Sequence, residues 1–151
     1  MGNLPRMQKG ISILTLGVTN LDRSIKFYQD LGWELSEDSD PLMCTFIKTP
    51  NSCLGLVEYG FLARDIGIPC SPKQEFSGFT LAINGDNTEE VDQIFDRAIK
   101  AGAKCHELPH WKDWGGYEGY SGYFQDPDGY FWEIAYFPLC KLSSTGTLLP
   151  K

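Results

Sequence analysis

Apolar and polar positions alternate most clearly in residues 121–136, SGYFQDPDGYFWEIAY. Asp126-Pro127-Asp128-Gly129 has the chemistry of a tight reversal: Asp opens it, Pro fixes φ at the second position and Gly tolerates the exit geometry. Dense Tyr, Phe, Trp and Ile on either side fit a pleated, half-buried surface, so the stretch predicts a hairpin. In its second arm a period of two places Phe131, Glu133 and Ala135 on one face and Trp132, Ile134 and Tyr136 on the other. Glu133 therefore interrupts an apolar strand. It faces either solvent or a cavity holding a ligand, a metal or a buried donor.

Upstream, residues 11–18 predict a strand with Ile13, Thr15 and Gly17 on one face, Gly17 marking close approach of a ligand or another strand. Thr19 or Asn20 then offers a helix cap, and Leu21, Ile25, Tyr28 and Leu31 recur at helical spacing until Gly32. Residues 33–35, 43–48 and 54–59 are short strand candidates, and residues 60–77, with Pro69 and Pro72, predict a loop between halves. The pattern then returns. Residues 79–83 predict a strand, Asn87 and Glu90 a capping box, and Val91, Ile94, Phe95, Ala98 and Ile99 an amphipathic helix ending near Gly102. Residues 103–108, 120–125 and 130–136 supply three more strands. The expectation is an α+β fold: one domain over residues 1–151, built from two βαβββ modules at about 10–60 and 78–138. Each sheet would bury one face under its helix, and pairing the curved mixed sheets would enclose a central cavity.

Composition narrows the function classes. Of 151 residues, 42% are apolar and 22% charged, as in a globular protein, and 20 acidic against 13 basic side chains give a formal charge of -7. That charge and the lack of a basic cluster argue against a nucleic-acid partner. No stretch is long and apolar enough for a membrane span, and the short apolar run after the first ten residues is too weak for a secretory core. Cys44, Cys53, Cys70, Cys105 and Cys140 are odd in number and far apart, which suggests neither a disulfide framework nor a zinc-binding pair. A reducing cytoplasm is the expected location.

The runs LGVTNLDRSIKFYQDLGW and GYFQDPDGYFWEI, in that order, resemble those of the glyoxalase, bleomycin-resistance and extradiol-dioxygenase proteins, the vicinal oxygen chelate superfamily. The likeness covers about residues 10–138, and WGGYEGYSGYFQDPDGYFWEIAY is similar to a glyoxalase-like branch. It implies tandem βαβββ modules around a cavity, often in a homodimer. In metal-dependent relatives the implied ligand positions fall on Ile13, approximately Leu56, approximately Phe79, and Glu133. Only Glu133 can coordinate a metal, so no cofactor is expected, and a divalent metal only at a non-standard site. Glu58 is an ionisable neighbour of Leu56, and a Glu58–Glu133 carboxylate pair is the alternative to a solvated Glu58.

Other candidate chemistry is thinner. His106 and His110 flank Glu107, but Pro109 breaks the run, which does not match helical zinc-protease spacing. Cys105 beside His106 is adjacency in a strand, where neighbours point apart. Trp111, Trp114, Tyr117, Tyr120 and Tyr123, interspersed with glycines, predict either a packed loop or dimer seam, or a wall for a ligand. The functional expectation is a glyoxalase-like protein that binds a small amphipathic or cationic molecule. Glu133 is its polar anchor or acid–base group, and the five aromatics with Phe131 are ligand contacts. A lyase, isomerase or dioxygenase using Glu133 or a displaced metal, and a structural or protein-interaction domain, are the alternatives.

Overall fold

The computed structural model describes residues 10–40, 44–50 and 52–149. Two mixed sheets carry the fold. In the first, β1 (Ile13–Val18) lies parallel to β3 (Cys53–Glu58), which pairs antiparallel with β2 (Thr45–Lys48). In the second, β4 (Leu81–Asn84) lies parallel to β7 (Phe131–Tyr136), followed by β6 (Glu118–Gln125) and β5 (Lys104–Asp113) in antiparallel order. Each module thus runs strand, helix and returning strands, with the last strand inserted beside the first. The strand expected at residues 33–35 is reduced to a single bridge from Leu35 to Ile47. Trp33 turns instead to stack on Tyr28 and meet Trp132 edge-on. Residues 41–43, part of the next expected strand, lie outside the described residues.

Helix α1 (Leu21–Leu31) starts at Asn20, whose side chain accepts from the Arg23 N–H, and stops at Gly32 in the left-handed region at φ 106°. Helix α3 (Thr88–Ala101) is capped by Asn87, which accepts from the Glu90 N–H. The return contact expected of a capping box shifts by one residue, Glu90 accepting from the Asp86 N–H. Residues 60–77 are not all loop: α2 (Tyr59–Ile66) follows β3 directly. Its start was hidden because the cap is Glu58, whose carboxylate accepts from the Gly60 and Phe61 N–H groups at 2.8 and 2.6 Å. Helix α2 covers Gly17, where a Cβ would lie 2.8 Å from the Tyr59 ring, so the close approach there is a helix.

One core joins the modules. Leu16 and Val18 of β1, Leu54 and Leu56 of β3, and Phe124, Trp132 and Ile134 of β6 and β7 close around Phe27, Tyr28 and Phe95 from α1 and α3. The reversal at residues 126–129 locks onto α1. Asp126 is 5% exposed, takes a 2.7 Å bond from the Tyr28 hydroxyl and accepts from the Asp128 and Tyr130 N–H groups. Burial raises the Asp126 pKa against the lowering effect of these donors. Asp128 accepts from the Thr19 N–H and hydroxyl and from the Ser24 hydroxyl. A small hairpin of β8 (Lys141–Leu142) and β9 (Leu148–Leu149) closes the described chain. No described helix is long and apolar enough to cross a membrane.

Candidate functional site

Strand parity sends Trp132 and Ile134 into the core and Glu133 to the opposite, open face of the second sheet, where it is half-buried. Cross-strand register sets its neighbours: Ala82 on β4, Tyr123 on β6 and, one strand further, Glu107 on β5. The Tyr123 hydroxyl donates to Glu133 Oε2 at 2.8 Å. Burial first, then this bond and the Glu133 and Glu107 charges, pushes the Tyr123 pKa up to about 12. The phenol is therefore a neutral donor at physiological pH.

A second polar group adjoins this pair. Lys112 Nζ lies 4.9 Å from the Tyr123 ring centroid and 2.7 Å from Glu107 Oε1. His110 also bonds Glu107, and the Lys112 bond is the leading cause holding the Glu107 carboxyl below its usual range. His106 meets Phe131 edge-on at 5.0 Å. The next row across the sheet is Asn84, Ala135 and Ser121. Asn84 Oδ1 and Ser121 Oγ in this row are enclosed without a protein partner. A carboxylate, a phenol and an ammonium thus converge on one open surface, able to bind a cation or hydrogen-bonding group and to exchange a proton with it.

The aromatic set expected as ligand contacts divides. Tyr123 and Phe131 share the face of Glu133. Tyr120 lies on the helix-facing side, donating to Asp92 of α3 at 2.8 Å, and Trp111 packs edge-on against Tyr120 and Tyr136. Trp114 and Tyr117 gather on Phe137 at the β5–β6 tip, where Tyr117 Oη lies 2.8 Å from Cys140 Sγ. The sequence grouped these rings by proximity in the chain, but alternate residues of a strand take opposite faces.

The positions implied as metal ligands do not form a donor set. Ile13 is on the open face of the first sheet and 47% exposed, whereas Leu56 is wholly buried on the helix side. Phe79 precedes β4 and packs near Tyr130, so Ala82, not Phe79, stands opposite Glu133. Glu58 is committed to the α2 cap, which rules out the Glu58–Glu133 pair. Among the described residues no three His, Cys, Asp or Glu side chains lie close enough to hold an ion. These residues do not fit the family's metal.

A hollow of about 700 Å³ lies elsewhere. It opens at the seam between the first sheet and β4, with Trp33, Trp132, Leu14 and Leu81 in its wall, and neither Glu133 nor any of the five expected aromatics lines it. Ala82 and Asn84 form its rim on the Glu133 side. The sequence could not locate this hollow, since its wall joins residues more than one hundred positions apart.

Known proteins match this architecture. The Glyoxalase/Bleomycin resistance protein/Dioxygenase superfamily matches residues 10–134. The metallothiol transferase FosB of Shouchella clausii is 29% identical over 128 residues, which is 85% of this chain and 80% of that protein. A glyoxalase-related enzyme of Fulvimarina pelagi superposes with a TM-score of 0.83 at 26% identity, covering 95% of this chain and 99% of the other. A lactoylglutathione lyase of Agrobacterium tumefaciens shares the fold, with a TM-score of 0.63 at 24% identity over 86% of this chain and 95% of its own. With the matched span running from before β1 into β7 and the fold shared with solved structures, the chain belongs to the glyoxalase, bleomycin-resistance and dioxygenase superfamily.

Proposed function

We propose that this protein binds a small cationic or donor-bearing molecule on the open face of its second sheet, with Glu133 as the polar anchor and no metal at the family position. The observation that carries this reading is the Tyr123–Glu133 hydrogen bond at 2.8 Å on a half-buried surface. A carboxylate held by one neutral donor keeps acceptor capacity for a ligand N–H, and such charge-assisted bonds are about twice as strong as neutral ones. Tyr123 and Phe131 supply ring surface beside it. Of the expected aromatic contacts, these two adjoin the anchor.

An acid–base enzyme is the second reading, favoured by the same pair. A substrate with an acidic C–H near Glu133 could lose its proton to the carboxylate, and the single Tyr123 O–H, released as Glu133 becomes protonated, would turn to the developing oxyanion. Among the described residues the open face of the second sheet carries no helix and that of the first is covered by α2 only around Gly17, which supports a homodimer in which a second copy covers the remainder. Sedimentation across micromolar concentrations tests this, and a monomer throughout refutes it. All five cysteines are free thiols, in keeping with a reducing, cytoplasmic setting.

The binding reading is tested by screening a cation-rich small-molecule library against tryptophan fluorescence and confirming hits by calorimetry. Glu133→Gln should weaken cationic hits by about tenfold or more, since a hydrogen bond to a charged group contributes about 1.5–3 kcal/mol. Equal affinity of the wild type and the variant for every cationic hit would refute it.

A further inference from the structure

We propose that the seam hollow is a second binding site, adjoining the Glu133 face at Asn84 but not lined by Glu133, for a neutral ring-bearing molecule carrying one hydroxyl or amide N–H. Its volume, about 700 Å³, lies in the range of small-molecule sites and far exceeds that of a water. The wall is built from both modules. Leu14 and Leu54 come from the first sheet, Leu81 and Ile83 from β4, and Trp33 meets Trp132 at 5.4 Å and 71°. Side chains of this kind would bury a ring by the hydrophobic effect and by edge-to-face contact.

Charge decides the class of ligand. The two charged groups lining the hollow, Lys48 and Glu34, are solvent-exposed and lie 3.7 Å from each other, so they offset one another and leave no net charge to receive an ion. An ionised ligand would lose its hydration without a counter-charge, which excludes anions and cations alike. Asn84, by contrast, borders the hollow from the Glu133 side, and its Oδ1 is enclosed without a protein partner. A half-turn of the amide presents either its oxygen or its NH₂ to a ligand, so a hydroxyl or an amide finds its complement there. This chemistry differs from that at Glu133. The seam selects for neutrality and ring surface, and the open face selects for positive charge.

The test uses the full chain with 15N-labelled tryptophan, titrated with 1-naphthol and, separately, with 1-naphthoate. Each of the four tryptophans gives its own indole N–H signal. The expected result is saturable movement of the Trp33 and Trp132 signals by 1-naphthol, while those of Trp111 and Trp114 stay still. 1-Naphthoate, with the same rings and a charge, should bind at least tenfold more weakly. Asn84→Leu should weaken 1-naphthol about fivefold, the effect of one neutral hydrogen bond. Thr145→Phe, at an exposed position on the rim, should obstruct entry without touching the core and abolish the shifts. Glu133→Gln should leave 1-naphthol affinity unchanged, so the two sites stand or fall separately. Failure of 1-naphthol to saturate, equal binding of the naphthoate, or shifts at Trp111 and Trp114 instead would overturn the proposal.

Discussion

The open faces of the two sheets occupy equivalent places in equivalent modules and have different chemistry. Both sheets insert their last strand parallel to the first, and both turn alternate residues of that strand to the open side. On the first sheet those residues are Cys53, Gly55 and Val57, joined by Ile13, Thr15 and Cys44; on the second they are Phe131, Glu133 and Ala135. The first face offers thiols and a hydroxyl, with burial pushing the Cys44 thiol up and so keeping it protonated. The second offers a carboxylate, a phenol and an ammonium. Helix-facing positions are constrained by the shared core, whereas open-face positions are free to carry different chemistry on the two modules.

The sharpest contrast in stability lies at the turns entering the two last strands. Asp126→Ala strands the Tyr28 hydroxyl and two backbone N–H groups in the interior and should cost about 3 kcal/mol or more. At the corresponding turn of the first module, Thr49 bonds the Ser52 carbonyl, and Thr49→Ala should cost no more than about 1 kcal/mol. Urea denaturation of both variants checks the ordering; equal losses would mean that the second turn does not brace the modules.

A smaller contrast separates two glycines. A Cβ at Gly122 would sit 2.6 Å from the Glu107 carbonyl oxygen and the Pro109 nitrogen, where β5 bulges towards β6. Backbone cannot step aside easily, so Gly122→Ala should cost about 1–3 kcal/mol. At Gly55 a Cβ would meet side chains, Cys44 Sγ and Thr15 Oγ1, at 3.2 Å, and Gly55→Ala should fall below about 1 kcal/mol. Thermal melts of the pair should place the Gly122 variant lower; the reverse order would contradict the close approach at the bulge.

The alternating stretch at residues 121–136 and the caps at Asn20 and Gly32 were legible because strand parity and helix capping are local rules. That is why Glu133 could be assigned to a face without coordinates. Leu56 went to the wrong face because a likeness to relatives fixes position along a strand less tightly than parity does. Helix α2 escaped because a glutamate, not Ser, Thr, Asp or Asn, caps it. The division of the aromatic set and the seam hollow depend on how strands from distant parts of the chain meet, which residue spacing does not encode.

The smallest effect is on titration. Tyr123, with a folded pKa of about 12 against about 10 in the unfolded chain, is held neutral by the fold. Its contribution to stability is fully present below pH about 10 and is lost as pH rises through about 12. Glu133→Gln removes the charge and weakens the bond but leaves the burial, which is the largest cause. The Tyr123 midpoint, followed by NMR of its labelled Cζ, should therefore fall by less than about one unit. No movement would show that Tyr123 and Glu133 are not paired in solution.

The contrast between the faces comes down to one question, whether a single carboxylate can serve without a metal. Elemental analysis of the gently purified protein, followed by titration of the apo form with zinc, nickel and iron(II), tests it most directly. One donor at the family positions cannot hold a transition metal selectively. The expected result is well under one equivalent of any of these metals, with only weak association that Glu133→Gln barely alters. One tightly bound metal per chain, lost in Glu133→Gln, would contradict the account and make the second face a metal centre.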